Sequence, residues 1–304
     1  MKRSKTSYRG GEALVLSSPQ LELVVTASVG PRIISFRTKD SGAKNLFLEF
    51  PSDETRFHGY YLRGGHRLWH SPENIPRTYQ PDDAPLAVKE LPKGVALTQP
   101  VEAKTGLQKG MRIEFLGERT VQVTHTLTNR GLWAVETAPW ALTMLRGAGY
   151  AVLPFHPKGD HAGGDLLPSY ALIPWTYTDL SLPVWEMRRD YMGIDVAKAD
   201  RAHKLGITGY PGWAAYWLDG FTFVKHAEAV AGARYPDMGC QFEVFTNGSM
   251  IELETLGELT QLEPGKSVNH VETWTILSGF PRPDSAEAFG ALSRAVIAWL
   301  KKIE

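Results

Sequence analysis

Residues 241–277 read QFEVFTNGSMIELETLGELTQLEPGKSVNHVETWTIL. Short runs of alternating apolar and polar residues are divided by Asn247-Gly248 and by Glu263-Pro264-Gly265-Lys266. Asn-Gly between alternating runs is the strongest short-range hairpin signal. Pro then Gly at the centre of a four-residue turn suits type II, where Gly takes the positive φ. The stretch is therefore expected to form an antiparallel meander of three strands. In the middle strand Ile251 and Leu253 point one way and Glu252 and Glu254 the other, two carboxylates about 7 Å apart on one face. In the last strand His270, Glu272 and Trp274 share a face. A sheet surface carrying Glu, Glu, His, Glu and Trp has the composition of a polar, aromatic-lined cleft. The same pattern also allows a solvated outer face.

Outward from this stretch the chain is overwhelmingly β in pattern. Strand runs are expected over 21–28, 32–36, 45–50, 95–99, 106–116, 120–129, 137–145, 150–154, 214–218 and 221–226, with turns at Gly30-Pro31, Lys109-Gly110, Gly117-Glu118 and Asp219-Gly220. Val121, Val123, His125 and Leu127 alternate onto one face, so His125 reads as a satisfied core histidine. Residues 158–204 are rich in Gly, Pro, Asp and aromatics and read as an irregular insertion. Their Trp175, Tyr177, Trp185 and Tyr191 suggest a segment packed over one mouth of the cleft. Residues 284–303 are the one helical stretch. Asp284 precedes Glu287 by three as in a capping box, and Phe289, Leu292, Val296, Leu300 and Ile303 fall at helical spacing. No break in composition separates the strands, which implies one all-β domain over residues 1–304: two large antiparallel sheets packed as a sandwich, with a C-terminal helix.

Composition excludes several function classes. Of 304 residues, 43% are hydrophobic and 22% charged, which supports a sizeable core and opposes disorder. Thirty-three basic residues balance 33 acidic ones, so neither nucleic acid nor an anionic membrane is an expected partner. The single cysteine, Cys240, cannot form an intramolecular disulfide and reads as buried packing. No run approaches the ~20 apolar residues of a membrane helix. The apolar run Ala13–Leu16 is too short for a signal-peptide core, so a cytoplasmic location is the default expectation, one that a removed leader would change. There is no phosphate-binding glycine loop, HExxH, GxSxG or cysteine-based zinc pattern, and no cofactor is expected. Most of the 9 Trp, 11 Tyr and 12 Phe should fill the core. A minority on an open face would suit the apolar C–H faces of sugar rings.

A second concentration of chemistry lies at residues 60–74, YYLRGGHRLWHSPEN, with Arg63, His66, Arg67, His70 and Glu73. His66, His70 and Glu73 would converge on a metal only along a helix. Gly64-Gly65 and Pro72 oppose a helix, so no metal is expected. As a site loop, Gly64-Gly65 would let backbone approach a ligand while Arg and His supply donors.

These motifs carry a resemblance. Arg63-Gly64-Gly65 followed by Trp69 resembles a segment of hexose-6-phosphate mutarotases. Ile251-Glu252-Leu253-Glu254-Thr255 resembles the aldose 1-epimerase strand that presents the catalytic glutamate. Leu262-Glu263-Pro264-Gly265-Lys266-Ser267 resembles the turn that closes those proteins, and His125-Thr126-Leu127-Thr128-Asn129 their mid-chain strand. Taken in order over about residues 20 to 277, the set resembles an uncharacterised bacterial branch of the galactose mutarotase-like superfamily, which implies a two-sheet supersandwich. The resemblance implies a glutamate base on the anomeric hydroxyl, at Glu254, and a histidine acid toward the ring oxygen. The family's acid histidine follows the mid-chain strand, where this chain has Pro139-Trp140-Ala141-Leu142-Thr143-Met144. The acid would then be His66 or His70, or be absent.

The expected partner is a small sugar or oligosaccharide. In the isomerase reading Glu254 acts with His66 or His70 while Arg63 and Arg67 hold hydroxyls. In the reading as a non-catalytic carbohydrate-binding protein, Trp69, Trp213 or Trp274 stacks the ring. Glu252, His270 and Glu272 complete the expected lining of one cleft in either case. A glycoside hydrolase or lyase using Glu252 and Glu254 is a third reading. Inverting hydrolases need carboxyls ~6.5–9.5 Å apart, but two side chains on one strand point in parallel and flank a bond poorly. The sequence names neither the sugar nor the oligomeric state.

Overall fold

The computed structural model describes residues 1–51 and 56–303, the Arg56 side chain excepted. Two antiparallel sheets face each other. The first runs, edge to edge, Lys2–Tyr8, Gly11–Ser17, Leu21–Thr26, Arg32–Thr38, His66–Ser71, Val135–Arg146, Met250–Leu256, Phe242–Thr246, His203–Ile207 and Leu172–Pro174, with Thr260–Leu262 also beside Val135–Arg146. The second runs Trp185–Met187, Tyr191–Asp195, Tyr150–Pro154, Trp213–Leu218, Phe221–His226, Ser267–Ser278, Val121–Asn129, Leu107–Phe115, Gly94–Thr98 and Ala87–Leu91. Alternation along each strand sends one set of side chains into the layer between the sheets. There Phe36, Phe47, Phe223 and Trp274 pack ring against ring at centroid distances of 5.5–6.0 Å.

The decisive stretch folds as two units and not as one meander. Phe242–Thr246 and Met250–Leu256 form the Asn-Gly hairpin in the first sheet, but Ser267–Ser278 lies in the second. The chain first bends at Gly257, whose N–H donates to the Pro139 carbonyl at 2.8 Å. A Cβ there would stand 2.9 Å from the Pro139 ring. Glycine thus lets the chain hug the neighbouring strand as it bends away from the hairpin; after Thr260–Leu262 it crosses to the second sheet through residues 263–266. Glu252 and Glu254 consequently belong to one sheet and His270, Glu272 and Trp274 to the other.

Two local expectations also give way. Residues 45–50 make only isolated bridges, Phe47 to Leu145 and Glu49 to Gly64. Lys109-Gly110 sits inside the unbroken strand Leu107–Phe115, because Lys109 turns inward to pair with Glu102.

The C-terminal helix spans Ala286–Leu300 and lies on the outer face of the second sheet. Its Phe289, Leu292 and Val296 pack on Tyr150, Val152, Tyr191, Trp213 and Ala215. The N-cap is Ser285 and not Asp284: the Ser285 hydroxyl accepts from the Ala288 N–H. Ser285→Ala should therefore lower stability to urea by about 1 kcal/mol. Asp284→Ala should change it by less than about 0.5 kcal/mol. Equal effects would remove Ser285 from the cap.

Candidate functional site

The outer face of the first sheet carries a cleft whose floor follows from strand register. Arg67, Leu142, Glu254 and Glu243 face one another across four adjacent strands. Beside them Met144, Glu252, Phe245 and Lys204 form a parallel row, and Trp69 stands opposite Trp140. These residues share a face because each is an even number of positions from its neighbour along the strand. Tyr79, Tyr177, Phe57 and Glu73 rise around the floor to enclose about 370 Å³. Segment 158–204 contributes Tyr177, Ala202 and Lys204 to this lining. Its Trp185 and Tyr191 pack elsewhere, in the core and under the helix.

Charges on the floor are paired within it. Arg67 donates to Glu252 at 2.7 Å, with its guanidinium 4.0 Å from the Trp69 ring centroid. The Lys204 ammonium lies 2.9 Å from one oxygen of Glu254 and 2.7 Å from Glu243. It also lies over the rings of Trp140 and Trp175, at 4.3 and 4.8 Å. Trp140 Nε1–H donates to the same Glu254 oxygen, Oε2, at 2.8 Å. Glu254 Oε1 is left buried with no hydrogen-bond partner.

Burial raises the Glu254 carboxyl, against the pull of Lys204 and the Trp140 N–H. Burial would strip Lys204 of its proton, but the two carboxylates outweigh it and hold the amine charged, well above its ordinary range. One ammonium cannot compensate two carboxylates. Burial pushes the Glu243 carboxyl well up, against the pull of Lys204.

Of the expected site residues, Glu254, Glu252, Arg67 and Trp69 meet in this cleft. The others lie elsewhere, for identifiable reasons. Odd and even residues of His66–Ser71 point oppositely, so Arg67 and Trp69 face the cleft while His66 and His70 face the core. His270, Glu272 and Trp274 enter that same core from the second sheet. Trp213 is covered by the C-terminal helix, its ring 6.3 Å from Phe289. Arg63 forms ion pairs with Asp82 at 2.9 Å and Asp83 at 2.6 Å. Gly64-Gly65 serve backbone crossing and not ligand approach: a Cβ on either would fall 2.2–2.3 Å from the Leu48 or Ile33 carbonyl oxygen. Lys204, Trp140, Tyr79 and Glu243 carry no motif. Lys204 and Glu243 reach the site through strand pairings that connect distant parts of the chain.

The core-facing group is a closed polar network. Lys225 donates to Glu272 at 2.8 Å, to Thr143 Oγ1 and the Ala141 carbonyl at 3.0 Å, and to the Leu253 carbonyl at 2.9 Å. His66 lies between Thr143, 2.9 Å from its Nδ1, and His125, 2.6 Å from its Nε2. His125 Nδ1–H donates to the His270 carbonyl at 3.1 Å. Glu272 also accepts from Trp274 Nε1–H at 3.0 Å and from the Thr255 hydroxyl. His66, His125 and Glu272 offer three metal-ligating atoms within 4.8 Å of one another. The two imidazole nitrogens are nevertheless at hydrogen-bond distance, and Lys225 already meets the charge of Glu272. His70 stands apart, 3.7 Å from Glu102. Burial raises the Glu102 carboxyl, but Lys109 and His70 outweigh it and hold it at about 2.

No protein-family model matches the sequence, and neither does any curated protein. Solved structures do match. A galactose mutarotase-like protein from Lactobacillus casei aligns over 87% of this chain and 100% of its own, with TM-score 0.59 and 10% identity. A putative mutarotase from Salmonella typhimurium covers 91% and 94%, with TM-score 0.57 and 10% identity. A putative aldose 1-epimerase from Escherichia coli covers 91% and 100%, with TM-score 0.51 and 12% identity. The fold is galactose mutarotase-like. On this mutarotase-like frame no histidine is among the described residues lining the cleft.

Burial also makes the core network a source of pH dependence. It depresses the protonation of His66 and lowers His125 and His270 to about 3. Unfolded histidine titrates near 6.5, so the unfolded chain takes up these protons first. The stabilising contribution is whole above about pH 6.5 and is lost as pH falls toward 3. Each histidine should contribute a slope of about 1.4 kcal/mol per pH unit between pH 6 and 4 in urea titrations. A folded His125→Asn protein should show a slope shallower by one proton. An unchanged slope would count against a neutral, buried His125.

Proposed function

We propose that the cleft binds a saccharide and that this mutarotase-like chain is a carbohydrate-binding protein acting on aldoses. The observation that supports this best is Glu254. Its Oε2 is saturated by Lys204 and Trp140, while Oε1 is buried on the cleft floor with its lone pairs unmet. Such an acceptor, beside the indoles of Trp69 and Trp140 and the phenol ring of Tyr79, suits a ligand with an apolar face and a hydroxylated edge. A pyranose has both. The volume is within the range of small-molecule sites. The names of the matched proteins, mutarotase and aldose 1-epimerase, agree in substrate class.

The anomeric hydroxyl is the natural partner of Glu254 Oε1, since it is the most acidic hydroxyl of an aldose and donates most strongly to a carboxylate. Hydrolysis fits less well. Glu252 and Glu254 project side by side from one strand, each already paired with a cation, and do not flank a bond.

The test is calorimetry with a panel of aldoses against the wild type and Glu254→Gln. The variant should keep its fold, because Glu243 remains 2.7 Å from Lys204 to pair it. Exchanging a charged acceptor for an amide costs about 1–2 kcal/mol, so affinity should fall about 5- to 30-fold. Equal affinities would remove Glu254 from the site. Absence of binding across the panel would remove the saccharide reading altogether.

A further inference from the structure

An aldose that opens and recloses must lose a proton at one oxygen and gain one at another. The cleft offers a carboxylate for the first task and no histidine for the second. It does offer Lys204, on the same floor as Glu254 and hydrogen-bonded to it at 2.9 Å. We propose that Lys204 and Glu254 act as one bifunctional acid–base pair on the hemiacetal carbon of a bound aldose, with Lys204 as the proton donor to the ring oxygen. This rests on the saccharide reading above and assigns to Lys204 the acid role for which the cleft lining offers no histidine.

The geometry of the reactant suits such a pair. The anomeric oxygen and the ring oxygen are bonded to a single carbon, so they lie as close together as the two oxygens of a carboxylate. Groups set far apart on opposite walls could not both reach them from one side. Neighbouring atoms of one ion pair can. Glu254 lines the cleft, and its Oε1, buried with no hydrogen-bond partner, is the atom assigned to the anomeric hydroxyl. The Lys204 ammonium has three N–H bonds and is within reach of two carboxylates, Glu243 and Glu254. These two carboxyl groups occupy at most two of the three N–H bonds, and Lys204 lines the cleft beside Trp140.

The step balances without a further reactant. Glu254 Oε1 takes the proton of the anomeric hydroxyl, and the electrons of that O–H bond form the C1 carbonyl. The C1–ring-oxygen bond breaks, its electron pair goes to the ring oxygen, and that oxygen takes a proton from Lys204. The open aldehyde rotates about C1–C2. Closure on the other face runs the same transfers in reverse and restores the ammonium and the carboxylate. Net charge on the pair is the same before and after each half. Glu243 is a positioning residue: as a buried acceptor 2.7 Å from the amine, it keeps Lys204 directed along the floor.

The test uses the whole chain and freshly dissolved α-D-glucose and α-D-galactose, with anomer exchange read by NMR and binding read by calorimetry. Lys204→Arg is the informative variant. Arginine keeps the positive charge and the ion pairs but cannot give up a proton. Wild type should accelerate exchange, and Lys204→Arg should bind sugar while losing about 100-fold or more of the acceleration. A purely structural lysine would lose affinity or stability and leave the rate of the bound enzyme near wild type. Should Lys204→Arg not fold, Lys204→Gln, whose amide N–H can still donate to Glu254, removes the acid, and the same loss is expected. Exchange at wild-type rate in either folded variant overturns the proposal. Wild type that binds these sugars without accelerating exchange overturns it too and leaves the saccharide reading intact. Wild type that binds no aldose overturns both.

Discussion

One ammonium group, that of Lys225, fixes the two central strands on which the cleft is built. It comes from the second sheet, crosses the core, and donates to the main-chain carbonyls of Ala141 and Leu253 as well as to Glu272. Leu142 and Glu254 are the next residues along those strands, and they face each other across the pairing. A fully buried lysine is costly unless every donor is met. Here Glu272, two carbonyls and Thr143 meet it, and Glu272 in turn is held by Trp274 and Thr255. The placement of Glu254 on one face of the first sheet is thus coupled to a satisfied polar network on the other. Removing one partner of such a network leaves a bare charge in the core, so its members constrain one another more than their pairwise energies suggest.

The two faces of Met250–Leu256 solve different problems with the same chemistry. Inward, Ile251 and Leu253 pack in the apolar core, and Thr255 bonds to the Glu272 network. Outward, Glu252 and Glu254 are as buried as core residues, at 7% and 0% exposure, yet carry charge. Arg67 and Lys204 make that tolerable by lying within hydrogen-bond distance. Pairing inside the cleft also limits what it selects. Neither of these cations is left bare for an anionic ligand, so recognition falls to the unmet Glu254 oxygen and the aromatic walls.

The fold was largely legible in the sequence because alternation and turn chemistry are local. The Asn247-Gly248 and Asp219-Gly220 hairpins formed as their residues dictate. So did the parity of Ile251 and Leu253 against Glu252 and Glu254. What local pattern could not supply was which sheet each strand joins. His270, Glu272 and Trp274 carry the same alternation whether the strand continues the hairpin or crosses to the opposite sheet. At Gly257 the chain bends away from the hairpin ladder, in close contact with Pro139. Face assignment within Tyr60–Asn74 failed for a related reason: a cluster of Arg and His looks like one site until strand geometry divides Arg67 and Trp69 from His66 and His70. Lys204 was invisible because a single lysine in HKLGI has no neighbour in sequence to mark it. Its partners lie 39 and 50 residues away along the chain and meet it only through the ladder His203–Ile207, Phe242–Thr246, Met250–Leu256.

That ladder also explains why the site can be rigid without a ligand. Side chains on regular strands, locked by ion pairs and packed against indoles, have little rotamer freedom left to lose on binding. Arg67 is clamped between Glu252 and Trp69, and Lys204 between Glu243, Glu254 and two tryptophans. A floor so constrained binds weakly if a ligand must break its pairs and well if the ligand only completes them. Glu254 Oε1 has no partner to lose, so a hydroxyl bonding to it would add a bond and displace none. The same constraint makes substitutions within the pairs more damaging than substitutions in the walls, since a lost wall contact costs area while a lost pair frees a charge.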